Sequence, residues 1–152
     1  FQIEEGISSL IQHSASLFGL TSYYEGNNYL LSEAELDVGA SQNIRDLPAD
    51  PLYELTYKAR VVAEKMTADS QEYTLFTSQT NTNSLILYQY LTEADSLIST
   101  HEHHFDHRVM VCDVIQTADQ GVAILGGIYI LGKYPRPLLV KMPVDPFIPE
   151  EE

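Results

Sequence analysis

The chain is 152 residues long, the size of one domain, and 44% of it is apolar, enough for a core without disulfides or metal and too much for wholesale disorder. Its 22 acidic and eight basic residues give a formal charge of −14. That balance argues against a nucleic-acid binder built on clustered Lys and Arg and against an anionic membrane surface; a protein partner or a second copy of the chain is expected instead.

Taken in chain order, Ile3, Ile7, Leu10, Ile11, Leu17 and Phe18 recur at helical spacing and predict an amphipathic helix that stops near Gly19. Tyr23 to Leu31, broken by Glu25-Gly26-Asn27-Asn28, predicts a hairpin. A second helix is expected over 50–67: Asp50 can cap it, Pro51 suits its first position, and Leu52, Leu55, Ala59, Val62 and Met66 form one stripe. Residues 72–78 alternate and are rich in Thr, Tyr and Phe, which predicts a strand.

Residues 84–100 carry two signals. Leu85, Ile86, Leu87, Tyr88 and Tyr90 favour a buried strand, with a turn at Glu93-Ala94-Asp95, while Leu87, Leu91, Ala94 and Ile98 keep helical spacing. Arg108 to Gln116 and Val122 to Leu131 flank a polar turn and predict a hairpin at the centre of a sheet, Gly126-Gly127 marking a bulge. Leu138 to Met142 predicts a last strand.

The expectation is an α+β fold: a single domain over residues 1–142, its antiparallel meander of about five to seven strands covered on one face by two helices. A partly open small β-barrel is the alternative. Residues 143–152 are expected to form an extended, Pro-rich acidic tail. The longest apolar stretch, Gly121 to Leu131, is far short of the ~20 residues of a spanning helix, so a soluble protein is expected. The one cysteine, Cys112, excludes an internal disulfide, fits a reducing, intracellular setting and reads as a buried structural thiol among Val109, Met110, Val111 and Val114.

The conspicuous constellation is His101-Glu102-His103-His104-Phe105-Asp106-His107. Imidazole and carboxylate are a good ligand set for zinc or iron, and on an extended chain His101, His103 and His107 share one face. The string resembles the H-x-H-x-D-H motif of metallo-β-lactamase-fold hydrolases at His101 and His103, but Asp106-His107 comes one residue late and no histidine follows. Gly127 to Lys133 fits the first part of a P-loop, yet Tyr134 stands where Ser or Thr is required and the intervening residues are a strand core.

With no complete catalytic set, the sequence points to a non-enzymatic protein-interaction domain. It would be a subunit of a larger assembly, cellular or viral, or an acidic inhibitor or immunity-type binder of a basic partner. Phe147 and Ile148 on the proline-braced tail, with Tyr134 and Arg136, are the expected partner contacts. The competing class is a small metal-dependent enzyme using His101, His103 and His107, with zinc as its possible cofactor.

Overall fold

Period-two alternation, not helical spacing, governs the chain. The computed structural model describes residues 4–93, 95–130 and 134–145, which hold eleven β-strands, one 3-10 turn at Ile44–Asp46 and no α-helix. Strands β1 (Gly6–Gln12), β2 (Leu17–Tyr24), β3 (Asn27–Glu35) and β4 (Asp50–Pro51) pair in that order as an N-terminal sheet. Strands β5 (Val62–Ala68), β6 (Gln71–Gln79), β7 (Ser84–Leu91) and β8 (Ser96–His104) form a central sheet. Strands β9 (Arg108–Gln116), β10 (Val122–Tyr129) and β11 (Arg136–Met142) form a C-terminal sheet in the order β11-β10-β9. Every pairing is antiparallel.

The expected α+β class is therefore overturned: the fold is nearly all β, in three sheets, with no pair of helices on a face and more strands than the five to seven foreseen. Nor do the strands join into the one closed sheet of a barrel, since each sheet keeps its own strand order. The first predicted helix is the β1–β2 hairpin. A bulge between Ile7 and Ser9 shifts the strand's phase, so Ile7 and Leu10 are both exposed, three apart, a spacing that imitates a helix. Ser14 ends the strand by accepting a hydrogen bond from the Leu17 N–H through its hydroxyl, the local bonding that draws serine out of helices.

The second predicted helix fails for another reason. Its stripe splits between two cores: Leu52, Leu55 and Ala59 pack with Phe76, Ile86 and Tyr88, whereas Met66 and Val62 pack with Leu75, Leu87 and Val111. Asp50-Pro51 is β4, residues 52–61 are turns in which Lys58 takes a positive φ of 60, and β-branched Val61-Val62 leads into β5. A hydrogen bond from the Leu52 N–H to the Asn28 carbonyl and two from Asn28 Nδ2 to the Leu55 and Thr56 carbonyls pin these turns to β3.

The hairpin expected at 23–31 forms, the one expected over 108–131 forms as β9 and β10, and of the two signals over 84–100 it is the strand that holds, β7 pairing with β8. Glu25-Gly26 and Asp69-Ser70 are two-residue turns with φ positive throughout (50 and 83, 49 and 66), the geometry that matches the twist of antiparallel strands. At Gly126 the β9–β10 register shifts, and an added Cβ would sit 2.4 Å from the Met110 carbonyl oxygen, so only glycine fits that bulge. This hairpin belongs to an outer sheet, however, not to the centre.

The centre is β6 and β7. One face of the central sheet (Tyr73, Leu75, Leu85, Leu87) packs on Val109, Val111, Val114, Val122 and Ile124 of the C-terminal sheet. The other (Phe76, Ile86, Tyr88, Tyr90) packs on Leu30 of the N-terminal sheet and on the 52–61 turns. All eight residues of β7 are buried. Each large side chain there contributes roughly 1.5–3 kcal/mol by leaving water.

Tyr88 and Tyr90 lie almost fully inside this second core. Burial first, and then a hydrogen bond to Glu54, raises the Tyr88 phenol well above its usual range; burial and the nearby Asp50 carboxylate push Tyr90 up to about 12. Below pH 10 neither state ionises; above it the unfolded chain releases protons the folded chain keeps, so stability falls as pH rises from 10 towards 12. Urea melts at pH 9 and pH 11 should show that Tyr90→Phe recovers up to roughly 1 kcal/mol of the alkaline loss. Equal losses in the parent and the variant would refute the assignment.

Candidate functional site

Three regions could do chemistry or binding: the histidine segment, a cleft beside the last described residues, and the outer face of the C-terminal sheet. The histidines lie on and just after β8, but the structure does not gather them. Strand β8 stops at His104, the Phe105 N–H bonds the Asn83 carbonyl, and the chain turns into β9 at Arg108. His107 therefore leaves the strand face that His101 and His103 share. Among the described residues no three His, Cys, Asp or Glu stand close enough together to hold a metal ion.

Each of the other histidines has a local partner. His104 Nδ1 lies 3.3 Å from the Ser84 hydroxyl, and the His103 ring lies 4.8 Å from that of Phe105. His101 Nε2 stands 2.9 Å from Asp145 Oδ2. Cys112, half-buried on β9, is a free thiol.

The His101 contact belongs to a clamp that the sequence did not disclose. Gln89, fully buried in the middle of β7, gives its side-chain N–H to the Asp145 carbonyl (2.7 Å) and accepts the Asp145 N–H at its Oε1 (3.0 Å). The Ser99 hydroxyl donates to the same oxygen at 3.0 Å. Gln89 thus treats residue 145 as a neighbouring strand would, and Val144 packs against the core beside it. The tail foreseen from 143 onward is held to the central sheet through 145. A cleft of about 530 Å³ opens beside it, lined by Asp69, Asp119, Lys141 and Asp145 among others. Lys141 bonds the Asp119 carboxylate, and this bond with that from the Thr117 hydroxyl lowers its pKa to about 2.

The third region is the outer face of β9–β11. Alternation turns Val111, Val114, Val122, Ile124 and Val140 inward, and by the same rule turns their neighbours out. Across the sheet Asp113, Leu125 and Leu139 stand in one row; Ile115, Ala123 and Lys141 stand in the next. Ile115 is 58% exposed, Leu125 47% and Leu139 73%, around a shallow groove of about 220 Å³. Tyr129 extends the face, its hydroxyl donating to the Met110 sulfur and its ring beneath the Arg108 guanidinium.

Of the expected partner contacts, Tyr134 is almost fully exposed, and Arg136 opens β11 opposite Ile128, on the side of the sheet that Leu138 and Val140 turn inward rather than on this face. Phe147 and Ile148 lie outside the described residues. The signal that sequence reading missed was the outward half of the 108–142 alternation, where Ile115, Leu125 and Leu139 stand in place of polar residues.

Replacing Gln89 by Leu should strand the Asp145 N–H and carbonyl, cost about 1–3 kcal/mol and speed amide exchange at Asp145. Unchanged exchange at that amide would show that the clamp carries no weight. Comparisons of the chain with family models, with curated proteins and with solved structures found no match.

Proposed function

We propose that this protein is a non-enzymatic interaction domain, a subunit of a larger assembly that docks another protein on the outer face of its C-terminal sheet. The observation that supports this most is the cluster of Ile115, Leu125 and Leu139, three large apolar side chains exposed side by side on a regular sheet. A solvated antiparallel sheet alternates apolar inside with polar outside, and a contiguous apolar outer patch marks an interface. Docking is by the face, not the edge: the free edge strand β11 carries Pro137, which has no N–H to offer a further strand.

Charge favours the assembly-subunit reading over the acidic inhibitor. An inhibitor of a basic partner would place its carboxylates around the docking patch. The two rows of the patch hold one carboxylate, Asp113, and residues 108–142 hold only two of the 22 acidic residues.

The double variant Leu125→Asp, Leu139→Asp should keep the parent's melting temperature within a few degrees, since both side chains are exposed. Size-exclusion chromatography of gentle extracts from the native source should show the parent chain eluting with a partner and the variant eluting without it. The same elution for both would overturn the docking reading.

A further inference from the structure

The edges of the three sheets are not alike. A strand that ends a sheet presents a row of unpaired N–H and C=O groups, and stable proteins block such rows. The β5 edge is closed by Gln116, whose side chain donates to the Thr67 carbonyl at 2.7 Å and accepts the Thr67 N–H at 3.3 Å. On β9 the Val111 N–H is taken by Gln79 Oε1 at 3.3 Å. Strand β4 is two residues long, β11 carries Pro137, and a bulge between Ile7 and Ser9 breaks β1. Strand β8 has none of these blocks along its last six residues. It holds no proline and no lysine, and among the described residues it pairs with β7 alone. Its one bulge falls at Ile98 and leaves Ser99 to His104 regular.

The edge also stands clear of the covering layers. All of β7 is buried, yet Thr100, Glu102, His103 and His104 beside it are exposed, on both faces of the sheet. The Phe105 N–H bonds the Asn83 carbonyl and the Thr80 N–H bonds the Ser84 carbonyl, so Asn83 turns its main chain towards β8 and Ser84 turns away from it. Antiparallel pairs alternate in this way. Ser99, His101 and His103 therefore bond β7, while Thr100, Glu102 and His104 send their N–H and C=O outward.

We propose that β8 pairs with β8 of a second copy, antiparallel about a two-fold axis at His101, and joins the two central sheets edge to edge. A two-fold contact keeps like faces of the sheets together, so residues of like parity meet. Centred on Glu102, it sets carboxylate against carboxylate. Centred on Thr100 or His103, it matches only three regular residues, because regular pairing begins at Ser99 and β8 ends at His104. Centred on His101, it matches five, Ser99 to His103. Each Glu102 then stands opposite Thr100 of the other copy, whose hydroxyl can donate to the carboxylate. Both residues hold their main-chain groups at the edge, so N–H and C=O pair there as well. The contact uses each edge once and stops at two copies. It does not use the outer face of the C-terminal sheet.

In sedimentation velocity the intact chain should reach twice its 17.1 kDa mass as concentration rises, with no larger species. Glu102→Pro removes an N–H that the other copy needs and should stay at 17.1 kDa, while Glu102→Gln keeps that N–H and should still pair. Far-UV circular dichroism and melting confirm the fold of each variant. A second arm holds even if the proline disturbs folding. At the axis the two Cα atoms of residue 101 lie about 4.5 Å apart, within disulfide reach, and those of residue 103 lie beyond it. Mild oxidation should therefore join His101→Cys into a two-chain band on a non-reducing gel. His103→Cys, like the parent with its Cys112, should remain single chains.

A parent that stays at one chain at every concentration overturns the proposal, as does a pair that survives in folded Glu102→Pro or that links through residue 103 and not 101. If the pair is lost in Leu125→Asp, Leu139→Asp and kept in Glu102→Pro, the copies meet by the outer face: the edge proposal fails and the docking reading stands. If β8 pairs as described and the double variant elutes from native extract like the parent, the docking reading fails and the edge proposal stands.

Discussion

Strands β6 and β7 have no face to give to water. Tyr73, Leu75, Leu85 and Leu87 point one way and Phe76, Ile86, Tyr88 and Tyr90 the other, all at most 8% exposed. A sheet apolar on both sides is stable only between two layers, and the chain supplies one from each flank: residues 6–51 on one side and 108–142 on the other. The polar groups carried in with it are bonded. The Thr77 hydroxyl donates to the Ile86 carbonyl, the Ser78 hydroxyl to the Arg60 carbonyl, and Gln89 holds Asp145. Each covering sheet has an inner face to bury and an outer face left over, and it is on those outer faces that apolar residues remain exposed.

Much of this was legible wherever alternation ran unbroken. The hairpins of β7–β8 and β9–β10 were readable from Leu85 to Tyr90 and from Val109 to Ile124, and the bulge from Gly126-Gly127. The two helices were misread because spacing of three and four residues has causes other than a helix. In β1 a bulge moved Leu10 onto the side of Ile7. Over 52–66 a turn region and a strand placed their apolar residues in two different cores, which a single sequence window cannot separate.

The site was less legible than the fold. Four histidines in seven residues attract attention, but their convergence depends on where β8 stops, and it stops at His104, before His107. The Gln89 clamp joins residues 56 apart, and nothing local to either one marks it. The outer apolar face could have been found, since Ile115, Leu125 and Leu139 occupy outward positions of strands whose inward positions were already evident. They were absorbed into the expected sheet centre because a strand apolar on both sides also suggests complete burial.

Everything else in the fold follows from β6 and β7, not the more apolar hairpin of β9 and β10, being the innermost pair. Native-state hydrogen exchange tests it residue by residue, because amides that open only with global unfolding exchange most slowly. Leu75 to Thr77 and Leu85 to Leu87 should exchange at the rate of global unfolding, with Val109 to Val114 faster. Slower exchange across Val109 to Val114 than across β7 would contradict it, and would place the core of the fold in the C-terminal sheet.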